Sequence, residues 1–156
     1  MAKIKPLKAS PYLKGFNNKE VATISAIVEE RDVATGQPIA EENSESEGLV
    51  IVAKGSLTLR TVLPDGAAVE VLTLTEGTSF GELSLVGEGP RLVSAHGGAE
   101  GARVLVIGRS DFEKLMKSDP KVAAKFLAGI LREVGAVTRA SGAQIKKLIS
   151  ATRATK

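Results

Sequence analysis

Glu82 and Arg91 stand nine positions apart in a chain of 156 residues, on either side of a glycine-rich stretch. The stretch reads Phe80-Gly81-Glu82-Leu83-Ser84-Leu85 and ends in Pro90-Arg91. One carboxylate and one guanidinium so placed suit a small sugar phosphate. Glu82 can accept hydrogen bonds from a ribose hydroxyl, Arg91 can form a bidentate pair with a phosphate, and the backbone N–H groups of residues 81–85 can supply the remaining donors. Taken singly, a surface Glu and a surface Arg beside a turn are nearly always a solvated or paired charge. The coincidence of the Phe-Gly-Glu-Leu turn with the interval to Pro90-Arg91 is what makes this loop a candidate pocket.

Other chemistries lack their residues. His96 is the sole histidine, so a Ser/His/Asp triad would depend on it alone, and no Gly-x-Ser-x-Gly elbow is present. Cysteine is absent, which removes disulfides and thiolate ligands, and no histidine pair exists for zinc. The acidic run of Glu41, Glu42, Glu45 and Glu47 lacks the order of a calcium loop, and Gly87-Glu88-Gly89-Pro90 lacks the Lys-Ser/Thr of a phosphate-binding loop. Glu29-Glu30 reads as a solvated helix end rather than an acid/base couple. Catalysis, metal binding and a cofactor are therefore not expected.

The elements that must position the loop fall into three parts. Asn17 stands where an N-cap should, with Glu20 three residues on, so a helix is expected from Asn18, ending near Glu30-Arg31 with Val21, Ile24, Ile27 and Val28 on one face. From about residue 32 to 108, short β-branched runs at 49–52, 57–63, 69–74, 92–96 and 104–107 read as strands. Thr35-Gly36, Lys54-Gly55, Pro64-Asp65-Gly66, Glu76-Gly77 and Gly97-Gly98 punctuate them as turn signals, and residues 41–48 read as an exposed, mobile loop. Strands at this spacing predict a mainly β fold, an antiparallel barrel or jelly roll, flanked by helices. Residues 110–152 complete it: Ser110 caps a short helix over 111–117, and Pro120 opens a long one. No linker divides the chain, which reads as one domain over residues 1–156.

Val122, Phe126, Leu127, Ile130, Val134, Val137, Ile145 and Leu148 stripe the long helix, which outruns a barrel of this size. Its outer half needs another partner. The Ile130, Val134, Val137, Ser141, Leu148 series has a/d spacing, so a parallel homodimer through this helix is expected, with packing back on the chain's own barrel as the alternative.

Basic residues number 21 and acidic ones 18, giving +3, but they interleave, and local excess occurs only at Lys3, Lys5 and Lys8 and at Lys146, Lys147, Arg153 and Lys156. One Tyr and no Trp leave few stacking platforms, so solvated ends are expected rather than a DNA footprint. The apolar runs at 49–53 and 104–107 are far short of a membrane span, and no apolar segment follows the basic start, so a cytoplasmic protein without membrane contact is expected.

The Phe80-Gly81-Glu82-Leu83-Ser84-Leu85 run followed by Pro90-Arg91 resembles the phosphate-binding cassette of cyclic-nucleotide-binding domains. The glycines at 36, 55 and 77, the segment from Ile107 to Phe112 and Asp119-Pro120 extend the likeness from about residue 10 to 148. The resemblance implies a ligand site of Phe80, Gly81, Glu82, Leu83, Ser84, Pro90, Arg91, Leu92 and Val93. In it Gly81 and Leu83 present backbone amides, Glu82 binds the ribose 2′-hydroxyl and Arg91 the cyclic phosphate. Counting from Pro120 puts Thr138, with Val137 beside it, where the catabolite-activator branch meets the purine with a hydroxyl.

Two residues depart from the family pattern. Leu92-Val93 stand where the family usually has a small or hydroxyl residue, which favours cyclic AMP over cyclic GMP and sets Leu92 to crowd the pocket. Glu88 adds a negative charge to a loop meant for an anion. Only 36 residues follow Pro120, so no DNA-reading domain is expected after the helix. The expected function is a cyclic nucleotide receptor that signals through its C-terminal helix to an unidentified effector protein. The alternative is a ligand-free interaction or scaffold module of the same fold, and a third reading, nucleic-acid binding through the basic ends, predicts salt-sensitive retention on DNA.

Overall fold

The structure, a computed structural model, describes residues 4–45, 48–87 and 89–154. The reading of Glu88 as an unfavourable charge, and the parts of the acidic run at Ser46 and Glu47, lie outside the described residues. A short helix α1 (Ile4–Ala9) and a 3₁₀ turn (Pro11–Leu13) precede α2 (Asn18–Ala26). The capping box is complete: the Glu20 N–H donates to Asn17 Oδ1 at 2.9 Å, and the Asn17 N–H donates to Glu20 Oε2 at 2.8 Å.

The helix stops at Ala26, short of the expected Glu30-Arg31. Residues Val28–Val33 instead form strand β1, pairing with the long strand Ser94–Gly108 from Val28 opposite Ile107 to Val33 opposite Ala102. Long-range pairing outweighs the local helical pattern here. Glu29 and Glu30 sit on that strand as partners of Arg31 and Arg103, not at a helix end.

After β1 come β2 (Pro38–Ala40), β3 (Gly48–Val62), β4 (Ala68–Thr75), β5 (Ser79–Phe80), a 3₁₀ turn (Glu82–Leu85) and β6 (Ser94–Gly108). All pairs are antiparallel, in the order β1-β6-β3-β4, with β2 on β6 and β5 on β3. This is a mainly antiparallel sheet with flanking helices. Its hydrogen-bonded path has two ends, β1 and β4, so the closed barrel expected from strand spacing is not formed by the ladder.

Two expected turns are also absent. Lys54-Gly55 and Gly97-Gly98 lie inside β3 and β6, each 15 residues long. The register shifts on both sides of Gly55, whose φ of +76° makes the left-handed residue of a bulge. The shift exchanges which side chains face inward. Before it, Leu49 and Ile51 face the helices while Val50 and Val52 face the second cluster on the other side of the sheet; after it, Leu57 and Leu59 face that second cluster. The continuous apolar run at 49–53 thus feeds two cores, one on each sheet face.

Helix α3 (Arg109–Ser118) has Gly108 at its N-cap, with Ser110 inside the first turn rather than capping it. Helix α4 (Pro120–Ala154) buries Val122, Ala123, Phe126 and Ile130 in the core shared with α2, α3 and the outer face of β3 and β6. Beyond Val134 it projects, and Val137, Ile145, Leu148 and Ile149 are exposed. No described helix is long and apolar enough to cross a membrane.

Candidate functional site

The loop between β5 and β6 bridges the two cores. Phe80 is buried in the second cluster and Leu85 in the helix-facing one, so the chain must reverse between them. Gly81 makes that reversal at φ +84°, and it sits so close to the Gly48 carbonyl and the Arg91 guanidinium that any Cβ would collide with both. Only glycine serves here. The turn Glu82–Leu85 that follows has no side-chain cap at Gly81.

A cavity of about 440 Å³ opens over this loop, lined by Phe80, Gly81, Glu82, Leu83, Ser84, Pro90, Arg91, Leu92 and Val93 together with Gly87 and Gly89. The expected loop residues therefore meet on one concave surface. Thr138 does not join them: it is exposed on the projecting part of α4, and its hydroxyl donates to the Val134 carbonyl at 2.8 Å. Leu92 is 83% exposed, so it lines the mouth of the cavity rather than crowding it.

Arg91 is only 8% exposed. Its Nη2 donates to the Gly48 carbonyl at 3.1 Å, and its Cζ lies 5.0 Å from the centre of the Phe80 ring. Its backbone is clamped as well, since the Asn43 N–H donates to its carbonyl and its own N–H donates to Ser44. The described part of the acidic loop is thus tied in place, and Glu42 fastens it further by accepting from Thr61 Oγ1 and the Val62 N–H, each at 3.0 Å.

Glu82 is held from the other side. Its Oε1 accepts from Tyr12 at 2.6 Å and from Ser79 at 2.8 Å. Burial, then the charge and hydrogen bond of Glu82, push the Tyr12 phenol pKa far up, so it remains a donor. Arg109, at the start of α3, donates through Nε to the Ser84 carbonyl at 2.9 Å and through Nη2 to the Gly87 carbonyl. A cation thereby fixes the far side of the turn.

Tyr12, Ser79 and Arg109 were not singled out by the sequence. Ser10-Pro11 does carry a local signal for the turn that presents Tyr12, since Ser10 caps it and Pro11 fits its first position. Nothing local marks its partner. His96 lies in β6 opposite Thr58 and Pro38. No cluster of three His, Cys, Asp or Glu placed to hold a metal occurs among the described residues.

Residues 30–119 match the cyclic nucleotide-binding domain family. Among curated relatives, the chain is 32% identical over 130 residues to the cyclic AMP receptor protein of Thermus thermophilus, covering 81% of this chain and 60% of that one. It is 26% identical over 110 residues to the cAMP-dependent protein kinase type II regulatory subunit of Drosophila melanogaster, covering 70% of this chain and 29% of that one. A solved structure, the catabolite activator protein of Thermus thermophilus, superimposes with a TM-score of 0.74 at 28% identity, over 89% of this chain and 63% of that one. The chain therefore spans less than two thirds of the length of these relatives.

Proposed function

The chain belongs to the cyclic nucleotide-binding domain family, and from that premise we propose that it is a receptor for cyclic AMP rather than an enzyme. One observation carries the reading: a buried arginine and a doubly hydrogen-bonded glutamate line the same cavity of about 440 Å³. In this reading Arg91 takes the cyclic phosphate in a charge-assisted pair, Glu82 accepts from the ribose 2′-hydroxyl, and the backbone amides that open the turn at 82–85 supply further donors. The names of the Thermus and Drosophila relatives, both of which refer to cyclic AMP, support the choice of ligand.

The rim supports adenine over guanine. Leu83 and Leu92 give the base an apolar margin. Ser94, the first hydroxyl after Arg91, is not among the residues that line the cavity and is turned to the Glu42 N–H at 2.9 Å. A guanine amino group would find no ready acceptor beside Arg91, and an unpaired donor costs affinity.

The output proposed is a change in the pose of α4, whose projecting half carries the apolar residues Val137, Ile145, Leu148 and Ile149 toward a second copy of the chain or an effector protein. Thr138 would reach the purine only in a different α4 pose. Ligand can bias that pose by no more than its differential affinity for the two arrangements. A thermal-shift comparison of cyclic AMP, cyclic GMP and AMP tests the reading. Cyclic AMP should raise Tm most and AMP should leave it unmoved; no shift with any of them would overturn the receptor reading in favour of a ligand-free interaction module.

A further inference from the structure

Two hydroxyl groups that phosphate binding does not require converge on one oxygen of Glu82. Tyr12 donates to Oε1 at 2.6 Å, Ser79 donates to the same atom at 2.8 Å, and the two hydroxyl oxygens touch. They come from segments 67 positions apart, one in the 3₁₀ turn before α2 and one on β5. A glutamate on a turn ordinarily samples several rotamers, and freezing them when a ligand arrives weakens binding. Here two hydroxyls from the protein itself hold the carboxylate in one orientation. Oε1 is held by both hydroxyls, and Oε2, which has no hydrogen bond among the described residues, is the atom left for a ligand.

Tyr12 is itself fixed. The residue is 2% exposed, its ring packs edge-on against Phe126 with centroids 6.0 Å apart, and its carbonyl lies so close to Gly129 that a Cβ there would collide. Phe126 and Gly129 both belong to α4. The carboxylate at the sugar end of the cavity is therefore aimed by a residue that rests on the helix proposed to carry the signal.

We infer that Tyr12 is the positioning residue for the Glu82 carboxylate, and that through it the site distinguishes a ribose ring from a 2′-deoxyribose ring. This rests on the receptor reading above, because Glu82 must meet a sugar hydroxyl for its orientation to matter. The rival reading of the same contact is a purely structural tie between the 3₁₀ turn and the loop, which would affect both sugars alike.

The test is calorimetry with cyclic AMP and 2′-deoxy cyclic AMP on the full chain and on Tyr12→Phe, which keeps the ring on Phe126 and removes only the hydroxyl. The variant should bind cyclic AMP about tenfold more weakly while its affinity for the 2′-deoxy analogue stays within about twofold, the loss expected for one hydrogen bond to a charged group. Equal weakening of both ligands, or no change in either, would overturn the inference. Should Tyr12→Phe fail to fold, Ser79→Ala removes the other donor to Oε1 and must shift the same ratio. The chain has one tyrosine and no tryptophan, so its emission reports Tyr12 alone. Cyclic AMP should change that emission more than the 2′-deoxy analogue, whose absorbance is the same; equal changes count against the inference. If the unaltered chain binds neither ligand, the receptor reading falls first and this inference with it, an outcome distinct from a Tyr12-specific failure.

Discussion

The two ends of the cavity are built in different ways. At one end, Arg91 is buried, stacked on Phe80, bonded to the Gly48 carbonyl and clamped through its backbone by Asn43 and Ser44, so it belongs to the β layer as much as to the site. At the other end, Glu82 lies in the 3₁₀ turn and is held by a hydroxyl from the N-terminal turn that packs on α4. The contrast separates two jobs. Under the proposed receptor function, the first pole would supply a fixed countercharge from the sheet and the second would read the ligand's sugar from the helical side.

Three substitutions test that separation. Arg91→Ala should have the largest effect, a loss of about 10²- to 10⁴-fold in affinity for cyclic AMP and for its 2′-deoxy analogue alike, since the phosphate loses two charge-assisted bonds. Calorimetry showing unchanged affinity would refute the phosphate assignment, and Arg91→Lys should restore only part of the loss because it cannot form the planar fork. Arg109→Ala comes next. It removes the cation that holds the Ser84 and Gly87 carbonyls, so it should lower stability by about 1–3 kcal/mol and weaken both ligands together. A change confined to one ligand would break the division between the two poles.

The smallest effect belongs to neither pole. The hydrogen bond and charge of Lys125, with the Asn17 N–H, hold the Glu20 carboxyl below the usual range, tying α2 to α4. Because the folded value is depressed, the stabilisation is complete above the unfolded value near pH 4.3 and disappears as pH falls through the folded one. Melting curves from pH 7 to pH 3 should show a steeper acid decline for the unaltered chain than for Glu20→Gln, with ligand affinity at pH 7 unchanged.

What the sequence revealed depended on how local the cause is. The Asn17 to Glu20 capping box and the Pro120 helix start are settled within one turn of chain, and both appear where the residues put them. The loop from Phe80 to Arg91 was legible because its glycine, proline and charged residues sit within a dozen positions. Glycines 55, 97 and 98 carry turn signals in the sequence, yet pairing between β3 and β6 carries the strands straight through them, a decision made by residues some 40 positions away. Val28 to Arg31 took a strand for the same reason. Tyr12 carries no local signal of its role, because that role lies wholly in a partner 70 positions on. For Thr138, counting along the chain fixes its position on the helix but not the direction of the helix relative to the cavity.

The two fifteen-residue strands that run through both apolar clusters act as a shared spine. Neither half of the molecule can melt while leaving the other standing, because every side chain removed from one cluster loosens the backbone that shapes its twin. A single sharp unfolding transition is the signature of such a spine, and damage deep in the helical layer will be felt at the rim of the cup.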